Sequence, residues 1–217
     1  MKKHKMLIAI FGAVVFLTAC GSKTDANAKN FGVAMTEYFD AHGKLCLESR
    51  SWPVDISESD LFSNSSDSKQ MAALQAAGLV KSEEVIVEKA LGLSNTGPKK
   101  NFKIQRYTLT EAAKPFSQNV IYKNRFKGDT PEKQTRLCWG KKSLDKIVKW
   151  EGPMKFGDYQ EVTVVYTYKL SNIAEWANNT DIQAAFPTIK SIISGAEKQT
   201  TRHGLKLTNQ GWEARGL

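Results

Sequence analysis

The sequence predicts an α+β fold, with N-terminal helices and a hairpin packed against a C-terminal antiparallel sheet and helix. Three observations carry this expectation. Phe31, Ala34, Met35, Tyr38 and Phe39 recur at helical spacing. Residues 160–170, QEVTVVYTYKL, place Val162, Val164, Tyr166, Tyr168 and Leu170 on one face and Thr163, Val165, Thr167 and Lys169 on the other. Between these regions, strand-like stretches at 84–90 and 102–109 flank the turn-rich segment LSNTGPKK.

Each element has a local signature. Gly43 follows the first helical stretch at the place where a left-handed C-terminal cap is expected. Residues 57–68, SESDLFSNSSDS, read as a loop ending in an N-cap at Ser66 or Asp67. A second helix then presents Met71, Leu74 and Ala77 on one side and stops at Gly78. Further on, 137–140 and 144–150 read as short strands around a Gly140-Lys141-Lys142 turn. Thr180 or Asp181 opens a helical stretch in which Pro187, lacking a backbone donor, must kink the helix or start another. Ile189, Ile192 and Ile193 are its inward side chains, and a last strand is expected near 205–208.

The N-terminus carries the most specific signal. Lys2, Lys3 and Lys5 precede a run at 6–16 that is apolar apart from Gly12. That run is too short for a bilayer span of ~20 residues, and it has the layout of a secretory signal peptide. The Leu17-Thr18-Ala19-Cys20 string that ends it resembles the lipobox of bacterial lipoproteins. This resemblance implies that the Cys20 thiol is diacylglycerated and that the chain is cut before it. It also implies that the new amino group is often acylated, because stable anchoring takes two or more chains. Gly21 stands where an aspartate resembling an inner-membrane retention signal would be, which favours the outer membrane, facing the periplasm, in a Gram-negative host. The expected organisation is a signal peptide at 1–19, a lipidated flexible tether at 20–30, a helical and hairpin half at 31–128 and an antiparallel-sheet half at 129–217. The last two are also readable as one domain.

With Cys20 assigned to lipid, Cys46 and Cys138 remain, and a pair in an oxidising compartment reads as a disulfide. The chain has 31 basic and 22 acidic side chains, a net of +9; loss of Lys2, Lys3 and Lys5 leaves 28 against 22, or +6. Such an excess bears on solubility and non-specific attraction to anionic envelope components, not on fold.

The order helix, Ala-Gly-Leu-Val, hairpin, Tyr-Thr-Leu-Thr also resembles the helix-and-wing part of a winged-helix domain, through Leu74, Gly78, Leu79, Val80, Tyr107, Leu109 and Thr110. Ala113 stands where that pattern has a glycine. No nucleic-acid partner follows, because an exported lipoprotein does not meet the chromosome and fold alone does not give function.

No catalytic residue, metal site or cofactor is assigned. His42 and His203 are the histidines beyond the leader, with no CxxC or HExxH pattern for zinc. His42 suits a helix C-terminus. Ser66-Asp67-Ser68-Lys69 and Ser143-Leu144-Asp145-Lys146 resemble the nucleophile string of penicillin-recognising enzymes, but neither Ser-Asp-Asn nor Lys-Thr-Gly accompanies them. Residues 138–153, CWGKKSLDKIVKWEGP, interleave tryptophans with lysines, which makes Trp150, Lys146 and Lys149 the candidate binding residues for an anionic glycan or lipid. The function expected is a membrane-anchored envelope lipoprotein acting as a non-enzymatic interaction or accessory module for envelope proteins or anionic cell-wall polymers. Two alternatives stand beside it. One is an envelope hydrolase acting on wall polymers, and the other is a carrier of small apolar or lipid ligands with a cavity behind strand 162–170.

Overall fold

The computed structural model describes residues 22–47, 52–90, 97–123 and 131–217. The signal segment and Cys20 lie outside these residues, as does part of the turn expected between the two hairpin strands. The architecture is a mixed helix and sheet fold with a curled antiparallel sheet, as the α+β expectation requires.

Helix α1 (Ala28–His42) lies on the curled sheet. It starts inside the stretch expected to be a tether, which corrects that boundary. Asn27 caps it through the Asn30 amide, and the Asn30 side chain donates to the carbonyls of Ser22 and Asp25, so small polar residues are ordered by side-chain-to-backbone bonds. Phe31, Ala34, Met35 and Phe39 are its buried face.

The sheet under α1 contains β1 (Lys44–Cys46), β6 (Pro131–Phe156), β7 (Tyr159–Ser171), β8 (Thr201–Thr208) and β9 (Gly211–Ala214), in that order, with β5 (Ser117–Lys123) also paired to β6. The expected turn at Gly140-Lys141-Lys142 is absent, and one 26-residue strand runs through it. The reason is pairing on both edges: Lys141 faces Lys44 of β1 on one side and Ser171 of β7 on the other. Register breaks fall between Leu144 and Lys146, Ile147 and Lys149, and Glu151 and Met154. Such bulges bend a strand and raise its twist. Here they bring Leu144, Ile147 and Trp150 in turn onto the α1 side, so that the sheet wraps the helix.

The inner face of β7 is the one the alternation predicts. Val162 and Val164 are fully buried, and Tyr166 and Tyr168 nearly so. They pack with Phe31, Met35, Phe39, Leu205 and Trp212 into one core. Phe31 lies edge-on to both Trp150 and Trp212, at centroid distances of 5.3 and 5.1 Å. Burial raises the Tyr166 phenol to about 12.

A second unit of the fold is built from β2 (Val54–Ser57), α2 (Glu58–Phe62), α3 (Ser66–Ala76), β3 (Val80–Ala90) and β4 (Lys99–Leu109). Its three strands lie in the order β2-β4-β3. The α3 cap is Ser65, one residue before the expected position. Helices α4 (Thr180–Ala185) and α5 (Pro187–Gly195) follow β7, and Pro187 starts the second rather than kinking one long helix. Met71, Leu74, Leu79, Val80, Tyr107, Leu137, Trp139, Trp176, Ile182 and Ile189 form the core of this half.

Asp55 and Arg106, opposite each other on β2 and β4, make a two-point ion pair at 2.7 and 2.8 Å. The Arg106 guanidinium holds the Asp55 carboxyl below its usual range. A depressed folded pKa contributes stability that is complete above the unfolded value and is lost as pH falls through the folded one. Asp55→Asn is therefore expected to cost about 1 kcal/mol at neutral pH, since the pair is partly exposed. Thermal melts of the two proteins should converge in acid, and a constant difference would refute this reading.

Candidate functional site

The concave feature of interest lies between the two halves of the fold. β1 and β6 form one wall, α3 and the start of α5 the other, and Trp52 closes a side. The cavity measures about 460 Å³, within the range of about 300–1,000 Å³ common for small-ligand sites.

Its walls are largely apolar because each contributing element turns a core side chain towards it. Leu45 and Leu47 come from β1 and its continuation, and Leu137 and Trp139 come from alternate positions of β6. Met71 and Leu74 are one turn apart on α3, and Ile189 and Ile192 are likewise neighbours on α5. Leu47 N–H donates to the Leu137 carbonyl, so β1 and β6 stay joined one residue beyond the assigned strand. The disulfide between Cys46 and Cys138, which the sequence predicts, locks the same two strands, and Cys46 lines the cavity.

Gln70, Thr135 and Thr188 add polar groups to the lining, and Arg136 is its charged residue. The Arg136 Nε is buried without a hydrogen-bond partner. An unpaired buried donor costs about 1–3 kcal/mol, more when it is charged. Any acceptor brought to it recovers part of that cost. The site can therefore hold an apolar body, with the Arg136 Nε as an unpaired buried donor on one of its lining residues.

Chemistry singled out in the sequence falls elsewhere. Trp150, on β6, is 38% exposed and packs on Phe31. Lys146 and Lys149 are exposed on the same strand and alternate with Leu144, Ile147 and Trp150, the residues that turn towards α1. His42 and His203 are far apart in sequence yet lie on the same tyrosine, with their rings 5.0 and 4.3 Å from that of Tyr38. His203 Nε2 faces the Arg215 carbonyl at 2.9 Å and so carries a proton there. Among the described residues, no group of three or more His, Cys, Asp or Glu is placed to hold a metal ion. Of the two Ser-x-x-Lys strings, the first begins α3 and the second runs through a β6 bulge, where Asp145 accepts from the Thr167 hydroxyl at 2.6 Å.

Lys142 is a half-buried cation outside the cavity. Its Nζ lies 4.2 Å from the Tyr168 ring centroid, and burial lowers its pKa. The space behind residues 162–170, where a carrier's cavity was expected, is filled by α1.

Arg136 and the cavity were not visible in the sequence, because the walls come from four segments remote along the chain. Comparison of the chain with family models, with curated proteins and with solved structures returned no match.

Proposed function

We propose that this protein is an envelope lipoprotein, anchored by lipid on Cys20, that serves as a non-enzymatic binding module for an apolar ligand with an anionic end. The cavity carries this reading: its apolar walls accept an acyl chain or a similar body, and Arg136 Nε offers the one buried donor without a partner among its lining groups. The signal-peptide layout and the lipobox-like string support the anchor. Among the described residues, no helix is long and apolar enough to cross a membrane.

The strand order β2-β4-β3, with α2 and α3 between β2 and β3, supports the winged-helix-like reading of this region. In an exported protein, α3 of that unit acts as a cavity wall rather than as a reader of DNA.

The test is titration of the protein with dansyl-labelled undecanoate, read by dansyl emission. Arg136→Gln is expected to weaken binding about tenfold, the worth of one charge-assisted hydrogen bond. Leu47→Trp, at a half-buried wall position, is expected to abolish binding by filling the space while the fold persists. Equal titration curves for all three proteins would sink the proposal.

A further inference from the structure

A lipid on Cys20 would fix one point of the chain to a bilayer, and residues 22–25 show which end of the molecule lies beside that point. Trp212 Nε1 donates to the carbonyls of Thr24 at 3.1 Å and Asp25 at 3.2 Å. The Lys23 carbonyl oxygen comes within 3.1 Å of where a Cβ on Gly211 would stand. These contacts seat the first described residues beside the β8–β9 turn. Because Glu161 of β7 pairs with Lys206 of β8, that turn is level with the β6–β7 turn at Gly157 and Asp158. From Ser22 back to Cys20 the chain can span at most about 7 Å.

The same edge presents an uncovered apolar surface. Residues 151–159, the end of the β6–β7 hairpin, are exposed throughout, with Phe156 at 69%, Met154 at 53% and Tyr159 at 41%. Phe156 pairs directly with Tyr159, and Met154 pairs with Glu161, so the three side chains share one face. Because β8 pairs with β7 only from Glu161 onward, Met154 and Phe156 are left bare, while the Tyr159 hydroxyl accepts from Arg215 and donates to Glu161. Lys155 and Lys23 are exposed cations at this end, and the Glu161 carboxylate is engaged by Arg215. Aromatic and apolar side chains flanked by lysine suit the boundary between headgroups and acyl chains. In water they form a patch that calls for a partner.

We propose that Met154, Phe156 and Tyr159 form a second membrane contact, inserting into the interface of the bilayer that Cys20 anchors. The inference rests on the anchor reading above. It sets the orientation of the folded part: the hairpin end meets lipid, while the cavity, lined by residues 135–137 and 139 of β6, lies towards the other end of that strand.

The experiment uses the full-length, membrane-extracted protein in phosphatidylethanolamine–phosphatidylglycerol vesicles with brominated acyl chains, which quench tryptophan on contact. Phe156→Trp places a reporter at the hairpin end, and Ile86→Trp places one on the exposed β3 strand as a control. The expected result is a larger quenched fraction for Phe156→Trp than for wild type and none added by Ile86→Trp. Equal quenching of the two variants overturns the proposal. Intact mass and flotation with vesicles read the anchor separately. A protein that floats by its lipid without added quenching at position 156 keeps the anchor and loses the second contact. An unlipidated protein that is still quenched there by added vesicles keeps the contact and loses the anchor. A hairpin end covered by a second copy would give no quenching and a concentration-dependent dimer that Phe156→Ser abolishes, which also overturns the membrane contact.

Discussion

Replacing Cys46 and Cys138 together by alanine is expected to lower stability by about 4–5 kcal/mol, the chain entropy released when a loop of this size is opened. The two cysteines are 92 residues apart. The loop they close contains the whole β2-β4-β3 unit, so the unfolded chain gains much freedom when the link is lost. A typical domain is stable by about 5–15 kcal/mol, so the loss removes about a quarter of the margin or more. The folded state suffers too. Cys46 and Cys138 are paired neighbours on β1 and β6, and β1 is a three-residue strand held at the sheet edge. Freed of the bridge, β1 should fray first and carry Leu45 and Leu47 away from the cavity wall. Urea unfolding of the wild type with and without reductant, beside the double alanine variant, reads both effects. Coincident curves for oxidised and reduced protein would show that the bridge contributes nothing.

Local chemistry made several elements legible. The β7 alternation reads directly because Val162, Val164, Tyr166 and Tyr168 meet α1 from one face, while Val165 and Thr167 are buried on the other. Pro187 left a kink or a new helix open, and it starts α5, where its missing donor is harmless in the first turn. The cysteine pairing followed from the expected oxidising compartment and from the number of cysteines left for it.

β6 hid its length for the opposite reason. Its bulges at Asp145, Val148 and Gly152-Pro153 shift the inward positions to Leu144, Ile147 and Trp150, a spacing of three that matches neither strand nor a sustained helix. The hairpin end did leave a signal. Phe156-Gly157-Asp158-Tyr159 is a two-residue turn of the Gly-Asp kind between aromatic residues. The cavity left none, since no local pattern reports that α3, α5, β1 and β6 meet around an unfilled volume.

Gly43 tests that packing at its tightest point, and Gly43→Ala is expected to cost about 3 kcal/mol or more, the range of overpacking where the neighbours cannot give way. The sequence suggested a left-handed cap here, but the backbone is right-handed, with φ at −74°, so conformational freedom is not what the glycine supplies. It supplies close approach. A Cβ would stand 2.2 Å from the Lys142 carbonyl oxygen and 2.3 Å from that of Phe39, both backbone atoms. The same residue donates to the Phe39 carbonyl at 2.7 Å and accepts from Lys142 N–H at 2.6 Å, which ties the end of α1 to the middle of β6. An added methyl must separate helix from sheet or break both bonds. Two other glycines make the comparison decisive. Gly78 ends the α3 segment with φ at +73° and open space around it, so its alanine variant should lose only about 1 kcal/mol of backbone strain. Gly32 lies inside α1, where a Cβ would meet nothing nearer than Leu144 Cδ2 at 3.8 Å. Alanine there should stabilise by about 0.5–1 kcal/mol through helix propensity. Melting temperatures should therefore fall in the order Gly32→Ala, wild type, Gly78→Ala, Gly43→Ala. A Gly43→Ala protein as stable as Gly78→Ala would mean that α1 does not approach β6 as closely as these contacts require.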